Sequence, residues 1–104
     1  MFTVYILYSF VHKKTYTGYT SNLLHRFYSH NIYSNTDWTR SYRPWVLVYC
    51  EVYETKKEAA NREKELKSGK GRDWIKENIN SWIAAFDHGL GMVSLGAEDW
   101  QVRG

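Results

Sequence analysis

One cysteine, one proline and no long apolar run are what the 104-residue sequence offers least of, and each scarcity excludes something. With Cys50 alone, an intramolecular disulfide is impossible and a cysteine-based zinc site is disfavoured, which fits a reducing, cytoplasmic setting. No hydrophobic stretch approaches the roughly 20 residues needed to cross a bilayer. After Met1 the chain enters a strand-like pattern rather than a secretory signal. Neither a Walker loop, a dinucleotide glycine fingerprint, HExxH nor a G-x-S-x-G elbow occurs, so the chemistries those motifs support have no foothold here. Acidic residues run short in the body: residues 1–79 carry thirteen Lys/Arg against eight Asp/Glu, whereas residues 80–104 carry one against three. A polyanion would therefore meet the body and not the tail.

What is present is globular. A chain of this length, 43% hydrophobic and 24% charged, suits one domain around a single core. Nine tyrosines and five tryptophans are interleaved with basic residues. That mixture suits stacking on bases or sugars, and equally the bulk a small core needs.

Residues 2–8, "FTVYILY", and 15–19, "TYTGY", are β-branched and aromatic, and predict two strands joined by a hairpin loop, "SFVHKK". Thr20 or Ser21 is placed to cap a helix over 21–31, with Leu23, Leu24, Phe27 and Tyr28 as its apolar stripe. Residues 32–44 read as a long surface loop closed by Pro44. "WVLVYCEVY", 45–53, predicts a third strand with Val46, Val48, Cys50 and Val52 on one face, covered on both faces and lying inside the sheet or under helices. Thr55 and Glu58 form a capping box that opens a helix over 56–68, stopped by Gly69. A third helix starts near Arg72, carries Trp74, Ile75, Ile79, Trp82, Ile83 and Phe86 at helical spacing, and ends at Gly89 and Gly91. The division expected is a domain over 1–79 and a helix extension with a flexible or loosely docked glycine-containing tail over 80–104.

Several residues stand out chemically. Glu63 falls one turn after Ala59 and Ala60 and one turn before Leu66, so its carboxylate shares the stripe that faces the sheet. There it must be paired, hydrogen-bonded or metal-bound; Arg62 or a tyrosine is the bland partner. Arg26 and His30 lie one turn apart beside the stripe of the first helix, and taken alone read as solvated groups. Tyr5 and Tyr16 share a sheet face only if paired residue numbers add to an odd sum, such as Leu7 opposite Tyr16, and the loop leaves that register open. Gly18 leaves the sheet bare beside Tyr16, for a phosphate, another backbone or a tight turn. The cations from Arg62 to Lys76 are offset by neighbouring carboxylates; Lys67, Lys70 and Arg72, around the glycines, are the candidate phosphate contacts.

In order, "VYI" at 4–6, "YTG" at 16–18, Arg26, His30, and Glu63 within "NREKELKSGKGRDW" make the chain over residues 2–79 resemble the GIY-YIG nuclease domain, closest to its small stand-alone bacterial members related to Slx1-type endonucleases. Val4 stands where the name-giving Gly would be and Thr17 where the Ile would be. The resemblance implies an α+β fold, a small three-stranded antiparallel sheet flanked by about three helices, with both motif tyrosines on one face. It also implies a catalytic set of Tyr5, Tyr16, Arg26, His30 and Glu63. Glu63 would hold one Mg²⁺ or Mn²⁺ largely through waters, Arg26 would fork onto the scissile phosphate, and the tyrosines with His30 would position or deprotonate the water. An Asn near the domain's end, Asn78 or Asn80, is a further family feature without an assigned position. The expected activity is metal-dependent cleavage of DNA, branched or damaged DNA included, with a role in repair or recombination. The alternatives are a nucleic-acid-binding module of the same fold with little cleavage, and a protein-interaction adaptor using the Trp-rich third helix and tail.

Overall fold

A computed structural model describes residues 1–33 and 41–87. Strands β1 (Phe2–Ser9) and β2 (Lys14–Thr20) form an antiparallel hairpin, and β3 (Val46–Tyr53) pairs antiparallel with the other side of β1, giving the order β2-β1-β3. The register places Leu7 opposite Tyr16 and Tyr5 opposite Gly18, the odd sum that puts both motif tyrosines on one face. Between the strands, four residues make a tight loop: the Lys13 N–H donates to Ser9 O at 2.7 Å, and Lys13 takes a positive φ of 54°.

β1, not β3, is the interior strand. Val4, Tyr5, Ile6 and Leu7 are all at most 1% exposed. β3 is an edge strand whose Cys50 is exposed and whose Val52 is 56% exposed, against the expectation of a strand covered on both faces. β3 pairs only with β1, which leaves its other side open, and it carries a bulge: Ile6 faces Tyr49 and Leu7 faces Leu47, so Val48 is an extra residue that interrupts the regular Val-Val-Cys-Val alternation.

Helix α1 (Leu23–Tyr28) is capped by Asn22, whose side chain accepts from the His25 N–H at 3.1 Å. Neither expected cap, Thr20 or Ser21, holds that place; Thr20 accepts from the Asn22 N–H at 3.0 Å and turns the chain out of β2. Phe27 is buried but Leu24 is 63% exposed, so the apolar stripe is narrower than expected. The helix does not continue regularly to 31; it widens into a π-helical turn over Ser29–Tyr33. Most of the expected loop over 32–44, and the expected helix end and tail beyond residue 87, lie outside the described residues.

Helix α2 (Lys56–Leu66) opens on the expected capping box, with the Glu58 N–H donating to Thr55 Oγ1 at 3.2 Å. It ends at Leu66, and Gly69 is the first residue of α3 (Gly69–Asp87) rather than a stop. Ser68 starts α3 early by accepting from the Gly71 N–H on its hydroxyl and from the Arg72 N–H on its carbonyl. Only glycine fits at 71, because a Cβ there would lie 2.2 Å from Glu65 O and 2.4 Å from Leu66 Cα. Ala59, Leu66 and Ile75 from the two helices cover the Val4 and Ile6 face, while Phe27 and Trp45 pack with Tyr5 and Leu7. Among the described residues no helix is long and apolar enough to cross a membrane.

Candidate active site

The hairpin register and the π-helical turn together bring the predicted residues into one cluster. Tyr5 projects from the central strand and is 1% exposed; its phenol lies 2.9 Å from His30 Nε2. Tyr16, on β2, is less buried, with its ring centre 6.2 Å from that of Tyr5 and 4.6 Å from that of His30. Arg26 reaches from α1 and hydrogen-bonds to both phenols. His30 and Arg26 are therefore not solvated surface groups: His30 is 0% exposed and Arg26 is partly buried. The wider π-helical spacing departs from the regular 100° step on which the surface reading rests.

Three further residues hold the segment that carries His30. Arg43 donates from Nε to His30 O at 2.6 Å and from Nη2 to Ser29 O at 3.2 Å, satisfying carbonyls at the start of the π-helical turn. Trp45 and Asn31 clasp each other, the Trp45 N–H donating to Asn31 Oδ1 at 2.6 Å, and the buried indole backs Tyr16 at 6.3 Å. No sequence pattern marks Arg43 or Asn31 for this task.

Gly18 is accounted for by packing. A Cβ there would lie 2.6 Å from the Tyr5 hydroxyl and 3.0 Å from the Tyr16 ring, so the bare position is filled by the phenol of Tyr5 rather than left open beside Tyr16.

Glu63, on α2, has a side-chain exposure of 23%. Its partner among the described residues is neither Arg62 nor a tyrosine but Lys67, at 3.5 Å, and the Lys67 ammonium also stands 5.9 Å from the centre of the Tyr16 ring. Lys67 thus links the carboxylate to the phenols. Lys67 and Arg72 line one depression with Tyr16, whereas Lys70 lies in another, with Arg62, Glu65 and Trp74. Asn78 bonds back to Trp74 O at 2.8 Å within its own helix.

Burial, then the neighbouring Tyr16, pushes the Tyr5 phenol well above the ordinary tyrosine range, and the Arg26 hydrogen bond only partly offsets this. Tyr5 thus keeps its proton at neutral pH, with its hydroxyl in a hydrogen bond to His30 Nε2. Burial disfavours the Arg26 charge, but the two phenols outweigh it and hold the guanidinium protonated.

The model of the GIY-YIG catalytic domain matches residues 1–78. The chain belongs to the GIY-YIG family. It is 45% identical over 53 residues to a UPF0213 protein of Staphylococcus haemolyticus, and to the same degree to UPF0213 proteins of Staphylococcus aureus. The alignment covers 51% of this chain and 65% of each relative, so it spans a little under two thirds of the length of the curated relatives it matches. No solved structure matches. Membership in a catalytic-domain family points to nuclease-type hydrolysis of nucleic acid.

The two departures from the GIY-YIG signature fall away from the chemistry. Val4 is fully buried in the layer formed with Ala59, Leu66 and Ile75, and Thr17 is buried opposite Ile6, in register with that same face. Neither points to the tyrosine side of the sheet. For a metal ion the donor set is sparse: among the described residues no group of three or more His, Cys, Asp or Glu converges. One carboxylate suits a hard divalent cation that keeps several waters and takes further oxygens from substrate phosphate. Glu63, contacted among the described residues by one lysine at 3.5 Å, retains lone pairs to give.

Proposed function

We propose that this GIY-YIG domain is a metal-dependent endonuclease that hydrolyses DNA phosphodiester bonds, branched or damaged DNA being its preferred form. The observation that carries the reading is Arg26 bonded to both phenols while Tyr5 engages His30 at 2.9 Å. A guanidinium has five donors, so Arg26 can keep its phenols and still turn donors onto a scissile phosphate. Tyr16, the less buried phenol, orients the attacking water. The water's proton passes over the phenols to His30 Nε2, which is hydrogen-bonded to Tyr5 and, in the tautomer that leaves it a free lone pair, becomes imidazolium. Glu63 would hold the ion, Mg²⁺ or Mn²⁺, which supplies positive charge for the phosphate and the leaving 3′ oxygen. Lys67 and Arg72, beside Tyr16, are placed to receive neighbouring phosphates. Structure-selective cutting and a role in repair belong to the same proposal, since no separate sequence-reading element accompanies the domain among the described residues.

Nicking of supercoiled plasmid and of a labelled branched duplex in Mg²⁺, Mn²⁺ or EDTA tests it. Metal-dependent cutting by wild type, lost in Glu63→Gln and Arg26→Ala, is expected. Cutting retained by Glu63→Gln would refute the assigned centre, and binding without cutting by wild type would make the chain a nucleic-acid-binding module.

A further inference from the structure

Beyond the tyrosines, the depression lined by Tyr16 and Lys67 continues along the sheet. It shares Thr15, Arg72 and Ile75 with a larger groove of about 450 Å³ between the β1–β2 hairpin and α3. Its cationic side is formed by Lys13, Lys14, Arg72 and Lys76, and its apolar floor by Ile79 and Ile83. No Asp or Glu lines either depression among the described residues, although Asp73 and Glu77 alternate with the cations along the sequence of α3. The fold sorts the charges: one side of α3 gives the groove its cations, and the acids fall elsewhere on the helix.

Of the groove cations, Lys14 stands over the Tyr42 ring at 5.9 Å. Lys13, Arg72 and Lys76 form no ion pair among the described residues. Lys13 also occupies the loop's positive-φ position, at 54°, where glycine or asparagine would be at ease. A lysine in that position, next to Lys14 on the hairpin and lining the same apolar groove as Arg72 and Lys76 of α3, matches a ligand with regularly spaced anions and flat apolar faces between them.

We propose that this groove carries the nucleic-acid strand that flanks the scissile phosphate, with its phosphates on Lys13, Lys14 and Lys76 and its bases or sugars against Ile79 and Ile83. The proposal rests on the nuclease reading of the adjoining site and adds the path by which substrate leaves it. Charge complementarity and continuity with the Tyr16 depression fix the occupant as a nucleic-acid strand rather than a protein segment.

The test uses the full chain carrying Glu63→Gln, so that binding is read without cutting, and fluorescein-labelled oligonucleotides of increasing length. In that background, Lys13→Glu with Lys76→Glu should weaken binding of the longer probes by about tenfold or more and lower the salt slope by about two, one for each phosphate no longer neutralised. The milder pair Lys13→Ala with Lys76→Ala should move both readings the same way by less. Lys57→Glu, reversing an exposed cation on the first turn of α2, serves as the control for bulk charge. If both groove pairs bind within twofold of their parent, if Lys57→Glu weakens binding as much, or if the shortest probe is weakened as much as the longest, the groove is not the path. Failure of the two ideas separates cleanly. Wild type that binds through the groove and never cuts removes the nuclease and keeps the strand path. Wild type that cuts, with binding by the groove variants unaltered, does the reverse.

Discussion

Two polar clusters carry the same kit and use it in opposite ways. One gathers Tyr5, Tyr16 and Arg26, with Glu63 of α2 joined to Tyr16 through Lys67; the other gathers Tyr49, Tyr53, Arg62 and Glu51. In the second cluster the charges close on each other. Arg62 grips Glu51 through Nε at 2.9 Å and Nη2 at 3.0 Å, bonds Glu65 as well, and lies over Trp74 at 5.2 Å. Glu51 also accepts from the Tyr49 hydroxyl and, at 2.6 Å, from that of Tyr53. Burial alone would raise this carboxyl, but Arg62 and the two phenols hold it down to about 2, while burial and Glu51 push Tyr49 up to about 12. In the first cluster the arginine bonds phenols, and the carboxylate meets one lysine at 3.5 Å. A saturated carboxylate stabilises a fold, whereas one with lone pairs to spare can hold an ion and meet a substrate.

Exchanging the two carboxylates for amides should break that contrast most visibly. Glu63→Gln is expected to lower cleavage by about 10²- to 10³-fold, the scale of losing one preorganised transition-state stabiliser. Its stability should move by only about 0.5 kcal/mol, since a partly exposed pair with Lys67 contributes little. Nicking assays beside urea titrations read both. A Glu63→Gln protein that cuts normally but melts early would place Glu63 on the structural side.

The glycines sharpen the same division. At Gly71 a Cβ meets backbone, 2.2 Å from Glu65 O, and backbone between two helices cannot yield. Gly71→Ala should therefore cost about 3 kcal/mol, the upper end for overpacking. At Gly18 the nearest obstacle is the Tyr5 hydroxyl, at 2.6 Å. Gly18→Ala should push that phenol off His30, lowering cleavage strongly at a stability cost of about 1 kcal/mol. The pair of denaturation midpoints and cleavage rates decides it.

Which parts were legible in the sequence follows from how local their causes are. The hairpin strands and the Thr55–Glu58 cap are written in adjacent residues, and both appear where expected. The odd register came from resemblance, because a loop does not specify it, and the structure carries it. Three readings failed, two of them for non-local reasons. The strand order left β3 at an edge, and the bulge at Val48 broke its regular alternation. Asn22 replaced Thr20 as a cap because Thr20 was needed to turn the chain. His30 was buried by a π-helical turn whose carbonyls Arg43 holds from 13 residues away. Family pattern thus points to Tyr5, Tyr16, Arg26 and His30 as a set, but the geometry that gathers them depends on Asn31, Arg43 and Trp45, which no periodicity singles out.

Acid should undo the saturated side first. The Glu51 carboxyl has its ordinary value near 4.5 lowered to about 2 in the fold, so its contribution is fully present above 4.5 and is lost as pH falls towards 2. Glu51→Gln should cost about 2 kcal/mol at neutral pH, less than a fully buried pair because its side chain is 17% exposed and Arg62 keeps Glu65. The gap between wild type and Glu51→Gln in urea titrations should close between pH 4.5 and 2. A gap that stays constant with pH would mean that shape, and not charge, is what Glu51 supplies.

The smallest change tests how independent the two sides are. Tyr53→Phe removes one of three groups donating to Glu51 and leaves Arg62 and Tyr49 in place, so the carboxylate stays ionised and paired. A single hydrogen bond to a charged group at a half-buried site is worth about 1 kcal/mol. The carboxyl should titrate at higher pH than in wild type, in step with the lost donor, as carbon-13 NMR of the Glu51 carboxyl would show. Cleavage should not change, because Tyr53 lies opposite Phe2 at the far end of β3, on the face away from Tyr5. If Tyr53→Phe slowed cleavage, the two polar clusters would be coupled through β1, and the separation of a structural side from a reactive side would fail at the strand they share.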